Sequence, residues 1–393
     1  MNYKISHLTK VVECEIDLPS SKSISNRLLL IQALCTDSFT IENLSNSDDT
    51  KSLQKALNST EEIIDIGAAG TSFRFLTSYL ATLVGKEFIL TGSDRVKKRP
   101  IKYLVDALQK IGADISYLEK DGFSPLRIKG IELKGGEVSI DGGVSSQFIS
   151  SLLLISPTLE RGLTLIISSE IVSKPYIEMT LKLMKQYGVS YTWIGNKIEI
   201  KSQKYVAKKC SIEADWSAAS FWFQIASLSE KCNIKLNGLS ENSIQGDKKV
   251  RELFKELGVY SKFENNSLIL TKSVNSSFLK EINVLDTPDL YQPLKCSVFA
   301  KCITPKISGV QTLKNKETDR IVAVEKELIK LTSSKIIETY KDHRMAMSFA
   351  PLCLNYGELQ INDVEVVSKS YPNFWEDLQK GGFKINLLTD SNN

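Results

Sequence analysis

A helical phrase recurs six times along the chain, and this recurrence restricts the possible folds more than any other feature. Each copy places apolar residues at positions i, i+3 or i+4 and i+7, and it ends at a glycine or a polar residue. The copies are LVDALQKIGADI (104–115), MTLKLMKQYGVSY (179–191), VRELFKELGVYSKF (250–263), TKSLQKALNS (50–59), AVEKELIKLTSSK (323–335) and FWEDLQKGGFKI (374–385). The clearest copies end at Gly112, Gly188 and Gly258, at intervals of 76 and 70 residues. The spacing predicts a structural unit that is repeated along the chain.

Between these phrases lie short segments in which apolar and polar residues alternate, as they do in strands. They are EVSIDGG, LTLIISS, KIEIKS, SLILTKS and ELQINDVEVV. Helices that alternate with strands predict an α/β fold, although an α/β protein without repeats would also contain several amphipathic helices. The first and last intervals are shorter, at 55 and 50 residues, as if a peripheral pair of strands were missing after SDDT and after TSSK.

The length of 393 residues predicts two domains, because a single hydrophobic core seldom grows this large. The composition changes at Asp215, where a strand-like segment ends and the apolar helical phrase WSAASFWFQIASL begins. A second crossing between domains is expected at the Pro19–Ser20 step. The sequence therefore predicts one lobe from residues 1–19 with 214–393, and another from residues 20–213.

The overall charge and the rare residue types exclude several functions. Fifty Lys and Arg against 46 Asp and Glu give a net charge of +4, which is too small for a protein coated by nucleic acid. The seven cysteines are scattered without a CxxC pair, and the histidines are His7 and His343 alone. A metal site, a disulfide framework and a Ser–His–Asp triad are therefore not expected. The sequence has no run of 18 apolar residues and no signal-peptide core, so we expect a cytoplasmic protein.

The segment SSKSISNR (20–27) combines hydroxyls and cations at the start of an apolar helical segment. Ser is a common N-cap residue, so Ser23 and Ser25 are explained by an ordinary helix start. Capping does not explain Lys22 and Arg27, because a positive charge near a helix N-terminus is unfavourable unless an anion is present. The segment is therefore a candidate anion site as well as a cap.

Four further segments suit an anionic ligand but have simpler explanations too. GAAGTSFRFLT (67–77) would let backbone N–H groups approach an oxyanion, or would form a tight turn. SDRVKKRP (93–100) carries four cations, and such a run is more often a solvated loop than a binding site. VSSQF (144–148) and SKPY (173–176) offer hydroxyls and an amide to a polyhydroxylated, phosphorylated ligand, or lie in surface turns.

The densest charge lies in three segments, LKNKETDRIVAV (313–324), YKDHRMAM (340–347) and SKSYPNF (368–374). On a helix, Lys316 and Arg320 would share one face, and Glu317 would be turned away by about 100°. Asp319 and Asp342 are interleaved with these cations. Salt bridges on a surface would explain much of this pattern, and a binding site for anions would explain it as well.

One site is expected to draw on five cations from these segments, namely Lys22, Arg95, Arg320, Arg344 and Lys369. Two like charges 4 Å apart repel by about 4 kcal/mol at an effective dielectric near 20. An empty site should therefore push the lobes apart, and a ligand with several negative charges should draw them together. Arg suits bidentate contacts to carboxylate or phosphate. The residues alone predict an enzyme for phosphorylated, carboxylated small molecules.

At these motifs the sequence resembles the 5-enolpyruvylshikimate-3-phosphate (EPSP) synthases, which are 3-phosphoshikimate 1-carboxyvinyltransferases. The matching segments follow in order from LPSSKSISNR to KSYPNF, and KETDRI, DHRMAM and VSSQF are the most specific. The resemblance implies an α/β fold of two lobes, each with three repeated β/α units about a pseudo-threefold axis, which is an inside-out α/β barrel. It implies transfer of the enolpyruvyl group of phosphoenolpyruvate to the 5-hydroxyl of shikimate 3-phosphate, through a tetrahedral ketal phosphate that loses phosphate.

The resemblance also implies a biological setting and a division of the site. The setting is chorismate and aromatic amino acid biosynthesis in the shikimate pathway, by a monomer without cofactor or metal and without a nucleic-acid or membrane partner. The lobe from residues 20–213 would hold shikimate 3-phosphate and part of the phosphoenolpyruvate site. The other lobe would carry the catalytic carboxylates and the rest of the phosphoenolpyruvate site.

The resemblance assigns roles to individual residues. Asp289, in DTPDLYQ, would act as base toward the 5-hydroxyl, Glu317 would protonate the methylene carbon of phosphoenolpyruvate, and Lys22 would belong to the same catalytic group. The residues that would hold shikimate 3-phosphate are Ser23, Arg27, Ser145, Ser146, Gln147, Ser173, Tyr176, Asp289 and Lys316. The residues that would hold phosphoenolpyruvate are Lys22, Gly70, Arg95, Gln147, Arg320, Arg344 and Lys369.

The sequence departs from the family pattern at Ala68 and Thr312, where Asn is usual, and at Phe75, where Pro is usual. Two other functions stay open at this point. A UDP-N-acetylglucosamine 1-carboxyvinyltransferase shares the fold and phosphoenolpyruvate, but it generally has a Cys in the loop that matches SDRVKK. A non-catalytic protein that binds phosphorylated metabolites would keep the cations and lose a carboxylate, whereas Asp289 and Glu317 are both present.

Overall fold

A computed structural model of the protein describes residues 1–273 and 280–388. The chain divides into two compact units: unit 1 consists of Met1–Ser21 with Glu213–Asn393, and unit 2 consists of Lys22–Ile212. None of the helices within the described ranges has both the length and the apolar character needed to span a membrane.

Short strands and short helices alternate through both units. The strands of the described residues are β1 Asn2–Ser6, β2 Val11–Asp17, β3 Ile41–Glu42, β4 Ile63–Asp65, β5 Glu87–Thr91, β6 Asp114–Tyr117, β7 Leu126–Lys129, β8 Gly136–Ile140, β9 Leu163–Ile167, β10 Thr192–Ile194, β11 Lys197–Ile200, β12 Cys210–Ser211, β13 Lys231–Asn237, β14 Val259–Glu264, β15 Ser267–Lys272, β16 Glu281–Asn283, β17 Lys306–Ser308, β18 Ile336–Ile337, β19 Leu359–Ile361 and β20 Lys384–Leu388. The α-helices are α1 Lys22–Leu34, α2 Asp48–Leu57, α3 Gly70–Ala81, α4 Asp94–Lys97, α5 Lys102–Lys110, α6 Ser146–Ile155, α7 Lys174–Gln186, α8 Trp216–Leu228, α9 Val250–Lys255, α10 Tyr291–Ala300, α11 Arg320–Lys330, α12 His343–Phe349, α13 Cys353–Tyr356 and α14 Phe374–Lys380.

In the described residues, each unit contains two four-stranded sheets and one two-stranded sheet. The strand orders are β10-β11-β9-β8, β4-β5-β7-β6 and β12-β3 in unit 2, and β18-β19-β1-β20, β14-β15-β13-β2 and β16-β17 in unit 1. Each of these six sheets has one parallel pair, and its other pairings are antiparallel. Because parallel neighbours need a crossover, a helix lies between β4 and β5, between β8 and β9, and between β16 and β17.

The two small sheets explain the short first and last intervals of the repeat. In a repeat that forms a four-stranded sheet, an antiparallel hairpin follows the second helix of the repeat. The hairpin β6–β7 follows α5, and the hairpin β10–β11 follows α7. No such hairpin follows α2 or α11 in the described residues, because the chain continues there to β4 and β18 of other sheets. The missing pairs of strands lie where the sequence predicts them, after SDDT and after TSSK.

Six helices on the outside of the units are the recurring phrases of the sequence. Each phrase overlaps one of α2, α5, α7, α9, α11 and α14, so the predicted helices are confirmed. Such a helix buries a single stripe; α5, for example, buries Leu104, Val105, Ala107 and Leu108 and leaves its charged residues toward water. The predicted helix WSAASFWFQIASL is also confirmed, as α8.

Six other helices are buried on nearly all sides, α1, α3 and α6 in unit 2 and α8, α10 and α12 in unit 1. Ten of the twelve residues of α3 are buried, and every residue of α8 except Ser217 is buried. In unit 2, small side chains let these inner helices approach closely, since the hydroxyls of Ser78 and Ser151 are 2.6 Å apart. The inner helices of unit 2 begin within SSKSISNR, GAAGTSFRFLT and VSSQF, so their N-termini carry the predicted anion motifs.

The segment ELQINDVEVV is predicted to be a strand throughout, and only Leu359–Ile361 forms one. Asp363 has a φ of +50°, which turns the chain out of the extended conformation. A 3₁₀ helix, Val364–Lys369, follows, with Val364 and Val367 buried one helical turn apart. The prediction is wrong for this second half because Val364, Glu365 and Val366 alternate as in a strand, whereas the buried valines are Val364 and Val367, one 3₁₀ turn apart.

Candidate functional site

Arg27 of α1 lies inside unit 2, where all of its hydrogen-bond partners are uncharged oxygens. Its Nε donates to Thr180 Oγ1 at 2.7 Å, and its Nη2 donates to Ser150 Oγ at 3.2 Å and to the Tyr176 carbonyl at 3.3 Å. Its Nη1 donates to the Ser23 carbonyl at 2.8 Å. The structure therefore brings together three of the residues predicted to hold shikimate 3-phosphate, Ser23, Arg27 and Tyr176.

The charge of Arg27 is not balanced by an acidic side chain. Arg27 is 2% exposed, and within the described ranges none of its hydrogen bonds or ion pairs involves a carboxylate. Burial lowers the pKa of Arg27 to about 10, because the charged form is poorly solvated there. The guanidinium carbon lies 5.5 Å from the ring centre of Phe75, one of the departures from the family pattern. A buried cation held by neutral dipoles alone is a favourable place for an anionic ligand.

Lys22, the first residue of α1, is held by a carboxylate of the same unit. Its Nζ lies 2.9 Å from Oδ2 of Asp49, which is in the first turn of α2 and is almost fully buried. The backbone carbonyl of Asp49 in turn accepts a hydrogen bond from Ser72 Oγ at 2.9 Å. The Lys22 side chain remains 17% exposed, so its ammonium is fixed in place and still within reach of a ligand.

Two guanidinium groups approach Gly70, the first residue of α3. Nη1 of Arg74 donates to the Gly70 carbonyl at 2.6 Å. A Cβ atom at Gly70 would overlap Nη1 of Arg99, so only glycine is compatible with this approach. Arg95, the predicted residue of the same loop, lies on α4 and is exposed. The structure therefore brings Arg99 to Gly70 and leaves Arg95 on the surface of unit 2.

Ser145, Ser146 and Gln147 lie at the start of the inner helix α6. Ser145 is its N-cap, since its Oγ accepts from the Gln147 backbone N–H at 3.3 Å. Nε2 of Gln147 donates to Thr71 Oγ1 at 2.9 Å, which joins the start of α6 to the start of α3 beside Gly70. Oε1 of Gln147 is buried and has no partner among the described residues. The amide therefore keeps an acceptor for a hydroxyl of a ligand.

Ser173 and Tyr176 lie at the start of α7. Ser173 is the residue before the helix, with a φ of +56°, a left-handed conformation that non-glycine residues seldom adopt. Its carbonyl accepts the backbone N–H of Tyr176 at 3.1 Å. The carbonyl of Tyr176 accepts from Arg27, so the start of α7 is tied directly to the buried guanidinium.

In unit 1, Arg320 is the centre of the predicted site and contacts three carboxylates. Its Nε donates to Asp342 Oδ2 at 2.8 Å and its Nη1 donates to Asp289 Oδ1 at 2.9 Å. Its Nη2 donates to Glu317 Oε2 at 2.9 Å. Arg320 is 1% exposed, so these contacts form in a site from which water is largely excluded. The two predicted catalytic carboxylates, Asp289 and Glu317, therefore share one guanidinium.

Three further predicted cations surround the same two carboxylates. Arg344 contacts Asp289 twice, with Nη2 at 3.1 Å from Oδ2 and Nη1 donating to the backbone carbonyl at 3.0 Å. Nζ of Lys316 lies 3.8 Å from Oδ1 of Asp289. Nζ of Lys369 lies 3.0 Å from Oε1 of Glu317. Both oxygens of each carboxylate are thus in contact with positive charge.

These contacts determine the charge states at the centre of unit 1. Burial would raise the pKa of Asp289, but the cations around it, Arg344 foremost, outweigh burial and hold its pKa well below the usual range. Burial would lower the pKa of Arg320, but its three carboxylates raise that pKa above its ordinary value. Both groups are therefore charged at neutral pH. An aspartate with so low a pKa is a weak base, so its surroundings must change before it can accept a proton.

One geometric expectation for this segment is wrong. Lys316 and Arg320 were expected to share a helical face, with Glu317 turned away from Arg320. The helix α11 instead begins at Arg320, because the Asp319 side chain caps it by accepting from the N–H groups of Ile321 and Val322 at 3.1 and 3.2 Å. The residues before Asp319 are not helical, and this lets Glu317 fold back onto Arg320.

The structure adds five residues that the sequence interpretation assigned no role, namely Asp49, Arg99, Ser217, Asp247 and Asp342. Asp342 lies inside YKDHRMAM and Arg99 lies inside SDRVKKRP, so both belong to segments that the sequence predicts to contribute to a site. Asp49 lies in the first turn of an ordinary amphipathic helix, and Ser217 is one of several small residues in an apolar helix. Nothing local in the sequence distinguishes these two from structural residues.

Unit 2 thus gathers hydroxyls, an amide and buried cations, and unit 1 gathers carboxylates and cations in alternation. Such groups bind phosphate and carboxylate and move protons. Within the described ranges, no cluster of His, Cys, Asp and Glu has an arrangement that could hold a metal ion.

The fold and these groups define an α/β protein of two units that is rich in cations, hydroxyls and carboxylates at the starts of its inner helices. The family model of EPSP synthase (3-phosphoshikimate 1-carboxyvinyltransferase) matches residues 7–61, 53–335 and 331–378. The chain therefore belongs to the EPSP synthase family, as its motifs indicate.

Comparison with individual proteins gives the same result. The chain is 43% identical over 409 residues to the 3-phosphoshikimate 1-carboxyvinyltransferase of Bacteroides fragilis strain YCH46, covering 98% of this chain and 99% of the relative. It is 33% identical to the enzyme of the same name from Aliivibrio salmonicida, with 94% and 97% covered. A solved EPSP synthase from Acinetobacter baumannii superposes with a TM-score of 0.78 at 21% identity, over 98% of this chain and 100% of that chain. The predicted fold class is confirmed, and the relatives favour this family over UDP-N-acetylglucosamine 1-carboxyvinyltransferase.

Proposed function

We propose that this protein is a 3-phosphoshikimate 1-carboxyvinyltransferase, an enzyme of aromatic amino acid biosynthesis. It transfers the enolpyruvyl group of phosphoenolpyruvate to the 5-hydroxyl of shikimate 3-phosphate and releases phosphate. The observation that carries this proposal is the cluster in which Asp289 and Glu317 share Arg320 and are surrounded by Lys316, Arg344 and Lys369. A non-catalytic relative that only binds phosphorylated metabolites has no need for two carboxylates in such a cluster.

We propose that shikimate 3-phosphate is held chiefly by residues of unit 2. Arg27 would supply a buried positive charge to an acidic group of this substrate, and Gln147 would bond a ring hydroxyl through its open acceptor. The hydroxyls at the starts of α1, α6 and α7 would complete the contacts, through Ser23, Ser145, Ser146, Ser173 and Tyr176. Asp289 and Lys316 of unit 1 would act at the hydroxyl that reacts.

We propose that phosphoenolpyruvate takes the cations Lys22, Arg95, Arg320, Arg344 and Lys369, together with the backbone at Gly70 and the amide of Gln147. Arg99 of unit 2, which approaches Gly70, would be a sixth cation of this group. A phosphate and a carboxylate together carry enough negative charge to form ion pairs with several of these side chains at once. Burial of Arg320 and Arg344 strengthens such pairs, because little water screens them.

The reaction requires the carboxylates to exchange partners. Without substrate, the cations of unit 1 neutralise Asp289 and Glu317. Phosphoenolpyruvate would draw these cations toward its own charges, and the pKa of Asp289 would then rise toward the range of a useful base. Asp289 would take the proton of the 5-hydroxyl as its oxygen attacks C2 of phosphoenolpyruvate. Glu317 would first take up a proton from solvent as its cations turn to the substrate, and it would deliver this proton to the methylene carbon. The tetrahedral ketal phosphate would then lose phosphate, while the methyl carbon returns a proton to Glu317 and the enol ether forms.

The fixed cations would also stabilise the charge that develops in this intermediate. Side chains already held by hydrogen bonds need no reorganisation when the charge moves, which is the condition for electrostatic catalysis. Lys22, held by Asp49, would serve the phosphoenolpyruvate side of the reaction in this way. We assign these roles to the lobes 1–19 with 214–393 and 20–213, and the division of the chain into units 1 and 2 supports that assignment. The proposal includes a cytoplasmic location and a monomeric state without nucleic-acid or membrane partners.

The test is release of inorganic phosphate from phosphoenolpyruvate by the purified full chain. We expect release only when shikimate 3-phosphate is present, with EPSP formed in equal amount. UDP-N-acetylglucosamine in place of shikimate 3-phosphate should give no release, and release with that acceptor would favour the related transferase. No release at saturating concentrations of both substrates would overturn the enzyme proposal.

A further inference from the structure

A chain of hydrogen bonds reaches Arg344 from two residues that have no assigned role. Nη2 of Arg344 donates to Ser217 Oγ at 3.0 Å. Ser217 Oγ donates in turn to Oδ2 of Asp247 through a short hydrogen bond. Because a hydroxyl has a single hydrogen, its donation to Asp247 leaves the lone pairs of Oγ for the guanidinium. Ser217 is thus oriented by Asp247 and orients Arg344.

Asp247 is placed where a carboxyl group is costly. It lies in the 3₁₀ helix Gly246–Lys249, just before α9, and is 4% exposed. Burial and the nearby charge of Asp289 raise its pKa to about 7, against the opposing effects of Ser217 and Arg344. An asparagine or an apolar side chain would fill the same space at lower cost. A carboxyl group that raises the energy of the fold calls for a reason beyond packing.

Ser217 is unusual within its own helix. It lies in the first turn of α8, and it is the residue of that helix that is not fully buried. The neighbouring hydroxyl, Ser220, is fully buried and donates to the Ser217 carbonyl at 2.6 Å, which is an ordinary helical contact. Ser217 and Ser220 therefore differ in their contacts: Ser220 bonds its own helix, and Ser217 bonds a residue predicted to bind substrate.

The consequence for Arg344 is a fixed orientation. Nη2 donates to Ser217 and Nη1 donates to the Asp289 carbonyl, and Nη2 also lies 3.1 Å from Oδ2 of Asp289 in an ion pair. Nε and the second hydrogen of Nη1 make no bond to a described residue. When substrate draws Arg344 away from Asp289, the hydrogen bond to Ser217 remains and still determines the rotation of the guanidinium.

We propose that Ser217 and Asp247 are positioning residues that hold the Arg344 guanidinium in the orientation needed for phosphoenolpyruvate. The inference rests on the proposed function, since it concerns the substrate of the same site. It predicts an effect on one substrate: the affinity for phosphoenolpyruvate falls when the hydroxyl or its acceptor is removed, and the affinity for shikimate 3-phosphate does not.

The experiment compares Ser217→Ala, Ser217→Thr, Asp247→Ala and the double variant with the control Ser220→Ala. We expect Ser217→Ala and Asp247→Ala each to raise KM for phosphoenolpyruvate about tenfold, the loss of one hydrogen bond to a charged group. KM for shikimate 3-phosphate should stay within about twofold of the wild type in these variants. Ser217→Thr keeps the hydroxyl and should retain most of the wild-type affinity. The double variant should lose no more than either single variant, because both act through one guanidinium.

Two outcomes separate the possible errors. If the wild type releases no phosphate, the proposed function is wrong. If the wild type is active and Ser217→Ala changes both KM values no more than Ser220→Ala does, the positioning role is wrong. Full additivity in the double variant would also overturn it. Circular dichroism and thermal melting accompany each variant, and Ser217→Thr tests the inference even if Asp247→Ala does not fold.

Discussion

The inner helices of unit 1 and unit 2 begin with opposite kinds of residue. In unit 2, α1, α3 and α6 begin at lysine, glycine and serine, and the residues before α3 and α6 are Ala69 and Ser145. In unit 1, α8 and α12 are capped by Asp215 and Asp342, and α10 follows the 3₁₀ turn that contains Asp289. The same architecture therefore presents N–H groups and hydroxyls in one unit and carboxylates in the other.

The two units also differ in the partners of their buried cations. In unit 1 the cations are neutralised internally, because Arg320 and Arg344 already have carboxylate partners. In unit 2 the buried Arg27 has only neutral oxygens around it. Acid partners suit a site that moves protons, and neutral partners suit a site that waits for an anion. Substitutions of the unit 1 carboxylates Asp289 and Glu317 should therefore act on turnover, and substitutions of the unit 2 cations Lys22 and Arg27 on affinity.

The largest effects are expected for Asp289→Asn and Glu317→Gln. Each keeps the shape of the side chain and removes a proton-transfer group, so kcat should fall by about 10²- to 10⁴-fold while both substrates still bind. Steady-state kinetics and equilibrium binding check this. Asp286→Asn, three residues from Asp289 and outside the cluster, is the matched control. Wild-type kcat in either variant would remove its proton-transfer role and weaken the contrast between the units.

Arg27→Ala and Lys22→Ala test whether unit 2 serves two substrates with two cations five residues apart. Loss of a charged partner should weaken shikimate 3-phosphate by about 30- to 100-fold in Arg27→Ala and phosphoenolpyruvate by a similar factor in Lys22→Ala. Titration calorimetry with each substrate measures both. Arg161→Ala removes an exposed arginine of the same unit and should change neither affinity. If both variants lose the same substrate, the division of roles is wrong.

Asp247→Asn tests the cost of carrying carboxylates in unit 1. The folded-state pKa of Asp247 is raised from 3.8 to about 7, so the native state binds the extra proton and its stability falls as pH rises between those values. The variant has no such proton, so its stability relative to the wild type should increase by up to about 4 kcal/mol between pH 4 and pH 8. Urea unfolding at both pH values measures the change. A stability difference between variant and wild type that is constant with pH would contradict a raised pKa.

The smallest expected effect concerns what the units have in common. Each has a sheet reduced to two strands, β3 with β12 in unit 2 and β16 with β17 in unit 1. With fewer neighbours to cover them, these strands should open locally more often than the four-stranded sheets. Amide hydrogen exchange should be about tenfold faster in β16 and β17 than in β13 and β15. Equal rates would show that the lost hairpins are compensated elsewhere.

The helices of the outer layer were easier to predict than those of the inner layer. An outer helix such as α5 meets the core on one side and water on the other, so its sequence carries a 3.6-residue period. An inner helix such as α3 or α8 is buried all round and carries no such period. Its helical state is visible from composition, but its central position is not. The six recurring phrases therefore indicated the repeats while only the structure showed what they surround.

The candidate site divides in the same way. Lys22, Arg27, Glu317 and Arg320 stand out because their motifs are compact in sequence, and Asp289 follows from the family resemblance. In the structure Lys22 pairs with Asp49, Arg27 lies among neutral oxygens, and Asp289 and Glu317 both contact Arg320. Which atoms meet was not predictable, since a contact such as that of Arg344 with Ser217 joins residues far apart in the chain. The predicted helical face shared by Lys316 and Arg320 is wrong, because Asp319 caps α11 and the helix begins only at Arg320.

The sequence by itself determined the repeat, the alternation of helix and strand, the position of the charged motifs at helix starts and membership in the family. These follow from local periodicity, capping and short motifs, which are properties of neighbouring residues. Only the tertiary structure decided that Arg99 rather than Arg95 approaches Gly70, that Asp289 and Glu317 share Arg320, and that Ser217 and Asp247 support Arg344. Charge states and orientations depend on burial and on partners brought together from distant segments, and the fold alone supplies both.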